Sequence, residues 1–114
     1  MKRILVAAAA LALLISAHAR ADVKAADPKK AFSIASKSDC LSCHAVSSKV
    51  IGPAYRDVAR KYKGDDQAES MLVQKVKNGG SGVWGKFPMP PHPDVADEDL
   101  KTVIEWILTG APSN

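Results

Sequence analysis

The 114-residue chain is poor in the side chains that usually hold a small protein together. It has two cysteines, Cys40 and Cys43, and two each of tryptophan, tyrosine and phenylalanine. Few large rings are therefore available to fill a core. No internal repeat is present, which excludes a solenoid. No alternation of apolar and polar residues runs long enough for a strand, which removes a sheet as the organising element. No apolar run reaches the roughly 20 residues needed to cross a bilayer. Histidine is confined to His18, His44 and His92.

The longest apolar block, Ile4 to Ile15, follows Lys2 and Arg3 and ends in the small-x-small pattern Ala19-Arg20-Ala21. That is the three-part plan of a secretory signal peptide. Residues 1–21 are read as the leader, with Ala17-His18-Ala19 offering the same pattern for a cut after Ala19, and residues 22–114 as one small exported domain. The whole chain carries a formal +4. Without Lys2, Arg3 and Arg20, 13 basic side chains face 12 acidic ones, a charge of +1. Nucleic-acid binding rests on a real cationic surplus, so that class loses its support. A domain of this size buries little apolar surface, and such domains usually need a disulfide, a metal or a cofactor.

Apolar spacing and end signals mark four helices. The first opens at Asp27-Pro28 and carries Phe32, Ile34 and Ala35 towards Lys37. The second covers about Ala54 to Tyr62, after Gly52-Pro53. The third runs from about Gln67 to Lys77, with Met71, Leu72 and Val76 inward, and stops at Asn78-Gly79-Gly80. The last starts within Asp97-Glu98-Asp99, acids that suit the positive end of a helix, and sets Leu100, Val103, Ile104 and Ile107 on one face. The fold class is all α. Between the third and fourth helices, SGVWGKFPMPPHPD places four prolines in the six positions 88–93. Proline lacks the amide donor and fixes one backbone angle, so the segment is a stiff loop with Met89 at its centre.

In SDCLSCHAV the two cysteines lie three positions apart and His44 follows directly. Two exported cysteines can form a disulfide, and Cys-x-x-Cys also serves thiol exchange, though such motifs usually follow a strand. Zinc requires four ligands, and beyond the leader only His44 and His92 could join the thiols. The remaining option is the Cys-x-x-Cys-His signature of covalent c-type haem attachment, which uses all three residues. The thiols form thioethers with the two vinyl groups, and the imidazole reaches the iron. An iron so held has a sixth position, which electron-carrying haem proteins fill with methionine. The candidates are Met71, on a helix face at core spacing, and Met89, in the proline-braced loop.

The strings CLSCHAV, IGPAYRDVARKY, VKNGGSGVWGKFPMPP and EWIL, in that order, resemble a class I cytochrome c of the small bacterial c-551 type over nearly all of residues 22–114. The resemblance implies a compact cytochrome c domain of about four helices around one haem c, with His44 and Met89 as iron ligands and with the first and last helices crossed so that Ile34 and Ala35 approach Trp106 and Ile107. It further implies that the Pro53 carbonyl accepts the proton on the other His44 ring nitrogen, that the Trp84 indole reaches a haem propionate, and that Lys75 stands where relatives often carry a propionate-facing arginine. Two departures are Asp39, often glycine in relatives, and His92, often an amide and close to the iron's surroundings.

The implied function is single-electron transfer in the periplasm by a monomeric, non-enzymatic carrier. Its partners would be redox proteins: a membrane cytochrome complex, a terminal oxidase or a nitrite reductase. A positive rim from Lys75, Lys77 and Lys86 would steer them. The alternative is a haem enzyme or ligand sensor with a displaceable Met89.

Overall fold

A computed structural model describes residues 25–113, together with Ala12 and Leu14. The expected leader, residues 1–21, lies almost entirely outside them. Four α-helices follow in order, α1 (Pro28–Lys37), α2 (Tyr55–Lys61), α3 (Ala68–Asn78) and α4 (Asp97–Leu108). Each lies within a residue or two of the span read from the sequence, and no strand occurs among the described residues. Among the described residues a single 3-10 turn, Cys40–Ser42, lies between α1 and α2, where apolar spacing marks no element.

Local chemistry explains where the helices begin. Asp27 accepts from the Lys29 amide at 2.9 Å, and Pro28 needs no partner for its missing N–H at the first helical position. The first turn of α4 holds Asp97, Glu98 and Asp99 against the positive end of the helix dipole. Asp39, just before the 3-10 turn, has φ +65°, the left-handed region that glycine adopts without steric cost. That backbone accounts for glycine being the residue that the resemblance implies at this position. The Asp39 carboxylate accepts from the Ser42 hydroxyl, which fastens the turn.

Helix α4 is the hub, since α1, α2 and α3 all pack on it. Leu100, Val103, Ile104, Trp106 and Ile107 of α4 are buried against Tyr55, Val58, Leu72 and Val73. Ala31 and Ala35, one turn apart on α1, are fully buried, and their small side chains let α1 cross α4 closely. The Trp106 indole is buried and donates to the Pro112 carbonyl at 3.0 Å, so its ring is fixed at both the apolar and the polar end. One expectation needs correction. Met71, read as inward, is 41% exposed because the α3 face that carries it borders a cleft, with Leu72 and Val73 turned to the core instead. Phe32 is 49% exposed and touches Trp106 edge-on, with ring centres 6.3 Å apart.

Tyr55 lies almost wholly within the core. Burial holds its phenol well above the ordinary tyrosine range, and Cys40 nearby adds to the shift. The folded state thus favours the neutral phenol. Its contribution is fully present below the unfolded value of about pH 10, and is lost above it by about 1.4 kcal/mol per pH unit until the folded-state value is passed. Tyr55→Phe should therefore lose less stability than the wild type between about pH 8 and about pH 11. Denaturant titrations at the two pH values test this, and equal losses would mean that Tyr55 ionises freely.

Candidate cofactor site

The cleft opens between the 3-10 turn, the 51–55 segment, α3 and the loop before α4, and encloses about 1400 Å³ of open space, including that at its mouth. Its lining is overwhelmingly apolar. All seven residues singled out in the sequence, Cys40, Cys43, His44, Pro53, Lys75, Trp84 and Met89, border it. Met71 does so as well, so the choice between the methionines rests on how each is mounted.

The cysteine-histidine segment is shaped by the 3-10 turn. The amides of Cys43 and His44 both donate to the Cys40 carbonyl, at 3.2 and 3.0 Å. The chain then loops out and returns, with the Ile51 and Gly52 amides donating to the Cys43 carbonyl at 3.2 and 2.8 Å. This return delivers the Pro53 carbonyl to His44, where Nδ1 stands 2.8 Å from it. A carbonyl only accepts, so Nδ1 carries the proton and Nε2 is the ring nitrogen left to bind a metal. Gly52 packs against the same imidazole, since a Cβ there would stand 2.8 Å from both ring nitrogens.

Met89 is held by its backbone. Its amide donates to the Gly80 carbonyl at 2.8 Å, and its carbonyl accepts from the Gly80 amide at 3.0 Å, an isolated antiparallel bridge. The loop thus has one ladder-like contact that its prolines do not prevent, because Met89 itself supplies the donor. Further on, the His92 amide donates to the carbonyls of Val76 and Lys77 at 3.0 and 3.2 Å, satisfying acceptors that the end of α3 leaves open. The loop leaves α3 and returns to it. The His92 Nδ1 is buried without a hydrogen-bond partner.

One lysine lines the cleft, and a second stands over aromatic rings that border it. Lys75 lines the cleft, its Nζ beside Gly80. Lys61, not singled out in the sequence, sets its Nζ 5.7 Å from the centre of the Trp84 ring and 5.8 Å from that of Tyr62, distances of a cation–π contact. Lys77 is not free to join a cationic rim, because it pairs with Asp97 across the base of the loop. Lys86 is exposed.

The donor set fits a haem better than a zinc ion or a thiol switch. The two thiols are free, and burial pushes the Cys40 thiol up, with its own backbone bond opposing and the Asp39 carboxylate reinforcing. Exchange-active thiols are shifted the other way. Among the described residues no three His, Cys, Asp or Glu side chains converge as a metal cluster would require. An apolar cleft with two thiols at its edge, one imidazole with a free Nε2, a clamped thioether, and a lysine and an indole at the rim suits a flat apolar group with an iron centre and an anionic edge.

Comparison with known proteins agrees. The Cytochrome c family profile matches residues 28–111. The chain is 46% identical to cytochrome c-552 of Nitrosomonas europaea over 101 residues, 89% of each chain. It is 45% identical to cytochrome c-551 of Pseudomonas aeruginosa over 85 residues, 75% of this chain and 78% of that one. The crystal structure of wild-type Nitrosomonas europaea cytochrome c552 superposes with a TM-score of 0.67 at 48% identity, covering 69% of this chain and 98% of that one.

The approach of the loop to α3 depends on Gly79, which has φ +70° and where a Cβ would stand 2.5 Å from the Met89 carbonyl oxygen and 2.8 Å from the Pro91 nitrogen. Gly79→Ala should cost about 1–3 kcal/mol and accelerate hydrogen exchange at the Met89 amide. Wild-type exchange at that amide in the variant would contradict the tight approach.

Proposed function

Because the chain belongs to the cytochrome c family, as a class I c-type cytochrome of the c-551 type, we propose that it serves as a soluble periplasmic electron carrier whose iron is held by His44 and Met89. Its cofactor is one covalently bound haem c, and its function is that of a monohaem electron carrier exchanging electrons with redox partner proteins. Among the described residues no helix is long and apolar enough to cross a membrane.

The observation that carries the ligand assignment is that His44 and Met89 border the same cleft, each fixed by main-chain hydrogen bonds. Met71 also borders the cleft and is held by its helix, its amide donating to the Gln67 carbonyl at 3.1 Å, but it is 41% exposed. Met89 instead stands in the proline-braced loop with its amide and carbonyl both paired to Gly80. The thiols of Cys40 and Cys43 would anchor the ring, and the Pro53 carbonyl would orient the imidazole and raise its basicity. Trp84 and Lys75 would meet the anionic edge, with Lys61 set over the Trp84 ring.

The iron supplies a one-electron oxidation and reduction. What the polypeptide contributes is constancy. His44 and Met89 would hold the iron in either oxidation state and would leave no place on it for a substrate, so the reading is of a carrier and not an enzyme. Their backbone mounts would keep the ligands still as the charge changes, and the apolar lining would exclude water, which lowers the local dielectric response. The leader plan of residues 1–21 supports export, and haem attachment through two thioethers suits the periplasm. Partners would be sought among membrane cytochrome complexes, terminal oxidases and nitrite reductases, with Lys86 and the exposed apolar rim at Val83 and Phe87 as the contact region.

An optical spectrum tests the ligands. The ferric protein should be low-spin with a weak far-red sulfur-to-iron band, and Met89→Ala should turn it high-spin and remove that band, whereas Met71→Ala should keep both. A retained band in Met89→Ala would disprove the assignment.

Replacing Cys40 and Cys43 together by alanine should abolish covalent haem and leave the chain largely unfolded, since the occupant of the cleft completes a core otherwise too small. Mass spectrometry and far-ultraviolet circular dichroism check the two parts. A haem-free double variant that unfolds cooperatively would refute the dependence.

A further inference from the structure

We propose that Tyr55 is a positioning residue for the axial imidazole, fixing the rotation of the His44 ring about its bond to the iron, and that Trp106 in turn fixes Tyr55. The proposal rests on the reading of His44 as an iron ligand. A hydrogen bond from Nδ1 to Pro53 fixes one point of the ring and its tautomer, but a single bond leaves the ring plane free to swing about that contact. The plane needs a second constraint.

Tyr55 supplies it. The two rings are stacked, with centres 5.2 Å apart and planes 22° from parallel, within the range of an offset aromatic pair. The Tyr55 amide also donates to the Ala45 carbonyl at 2.9 Å, so the first residue of α2 is tied to the residue next to His44 and the two rings share one local frame. On its other contact, Tyr55 meets Trp106 edge-on, with centres 5.6 Å apart and planes at 74°. Trp106 cannot readily yield, being buried in α4 and bonded through its indole to Pro112. The series Pro112, Trp106, Tyr55, His44 therefore runs without a gap from the C-terminal segment to the ligand. Gly52, packed against the imidazole, limits its movement further.

Orientation matters because the imidazole plane sets which iron orbital overlaps the ligand π system, and so how unpaired spin is spread over the porphyrin in the ferric state. A residue that only filled space would affect stability and leave that distribution alone. A residue that sets the plane would alter it even in a fully folded variant.

The test is proton NMR of the haem-loaded protein. In the ferric state the order and spread of the haem-methyl resonances report the imidazole plane. Tyr55→Phe keeps the ring and should retain the wild-type order. Tyr55→Leu removes the stack at similar bulk and should reorder the methyl resonances or change their spread. A folded Tyr55→Leu protein with the wild-type pattern would overturn the proposal. Should that variant not fold, the ferrous wild type decides alone: nuclear Overhauser contacts between the His44 and Tyr55 ring protons are expected, and their absence would overturn it. The same ferrous spectrum separates this from failure of the ligand reading, because an axial imidazole shows strongly upfield-shifted ring protons and an unligated His44 would not.

Discussion

Keeping water out of one apolar cleft is the constraint on which the rest of the domain depends. The helices are short, and three of them reach the core by packing on α4, leaving α3 and the loop before α4 to form one lip and the 3-10 turn with the 51–55 segment to form the other. Ile51, Met71, Val83 and Trp84 all stand partly in solvent along these lips, an arrangement that is unfavourable in water and favourable against a flat apolar surface. Covalent attachment suits this economy of chain. A group that cannot leave adds its own apolar faces to the core permanently, and the polypeptide needs only enough buried side chains to close around it.

Much of this was legible in the sequence, for reasons that differ from residue to residue. Cys40, Cys43 and His44 could be read as one group because the attachment proposed for them is local: three side chains in one turn would act on one group. Helix α4 could be read because acids, an apolar face and a terminal glycine agree. Met89 stood out because proline is an expensive neighbour for a residue that merely connects. Contacts decided by tertiary packing were not legible. Met71 follows the period of a buried position, yet the face it occupies is covered by the cofactor's cleft and not by another helix. Lys77 looked like a free cation until folding brought Asp97, twenty positions away, beside it. The role proposed for Tyr55 had only a faint signal, an aromatic residue opening a short helix directly after Gly-Pro-Ala.

Electrostatics has a modest part in holding the helices. Arg60 pairs with Asp57 within α2, both exposed, a kind of pair that contributes about 0–1 kcal/mol, and the exposed Lys101 stands 3.9 Å from both Glu69 and Glu105, whose side chains are mostly covered. Their use is orientation more than strength. Lys77 and Asp97 join the end of α3 to the start of α4, where the loop begins and ends, and so the entry and exit of the loop are set by charge while its interior is set by proline.

Between Gly80 and Met89 the chain closes a small ring through two backbone hydrogen bonds. Residues 81–88 hang from that closure, and most of them are exposed. Because the closure uses no side chain from within the ring, replacing Lys86, which does not line the cleft, changes the outer surface while the position of the methionine stays as it was. Such a module separates two histories of substitution. The part proposed to address partners can drift or be selected freely, and the part proposed to hold the metal need not be reinvented each time the partner changes.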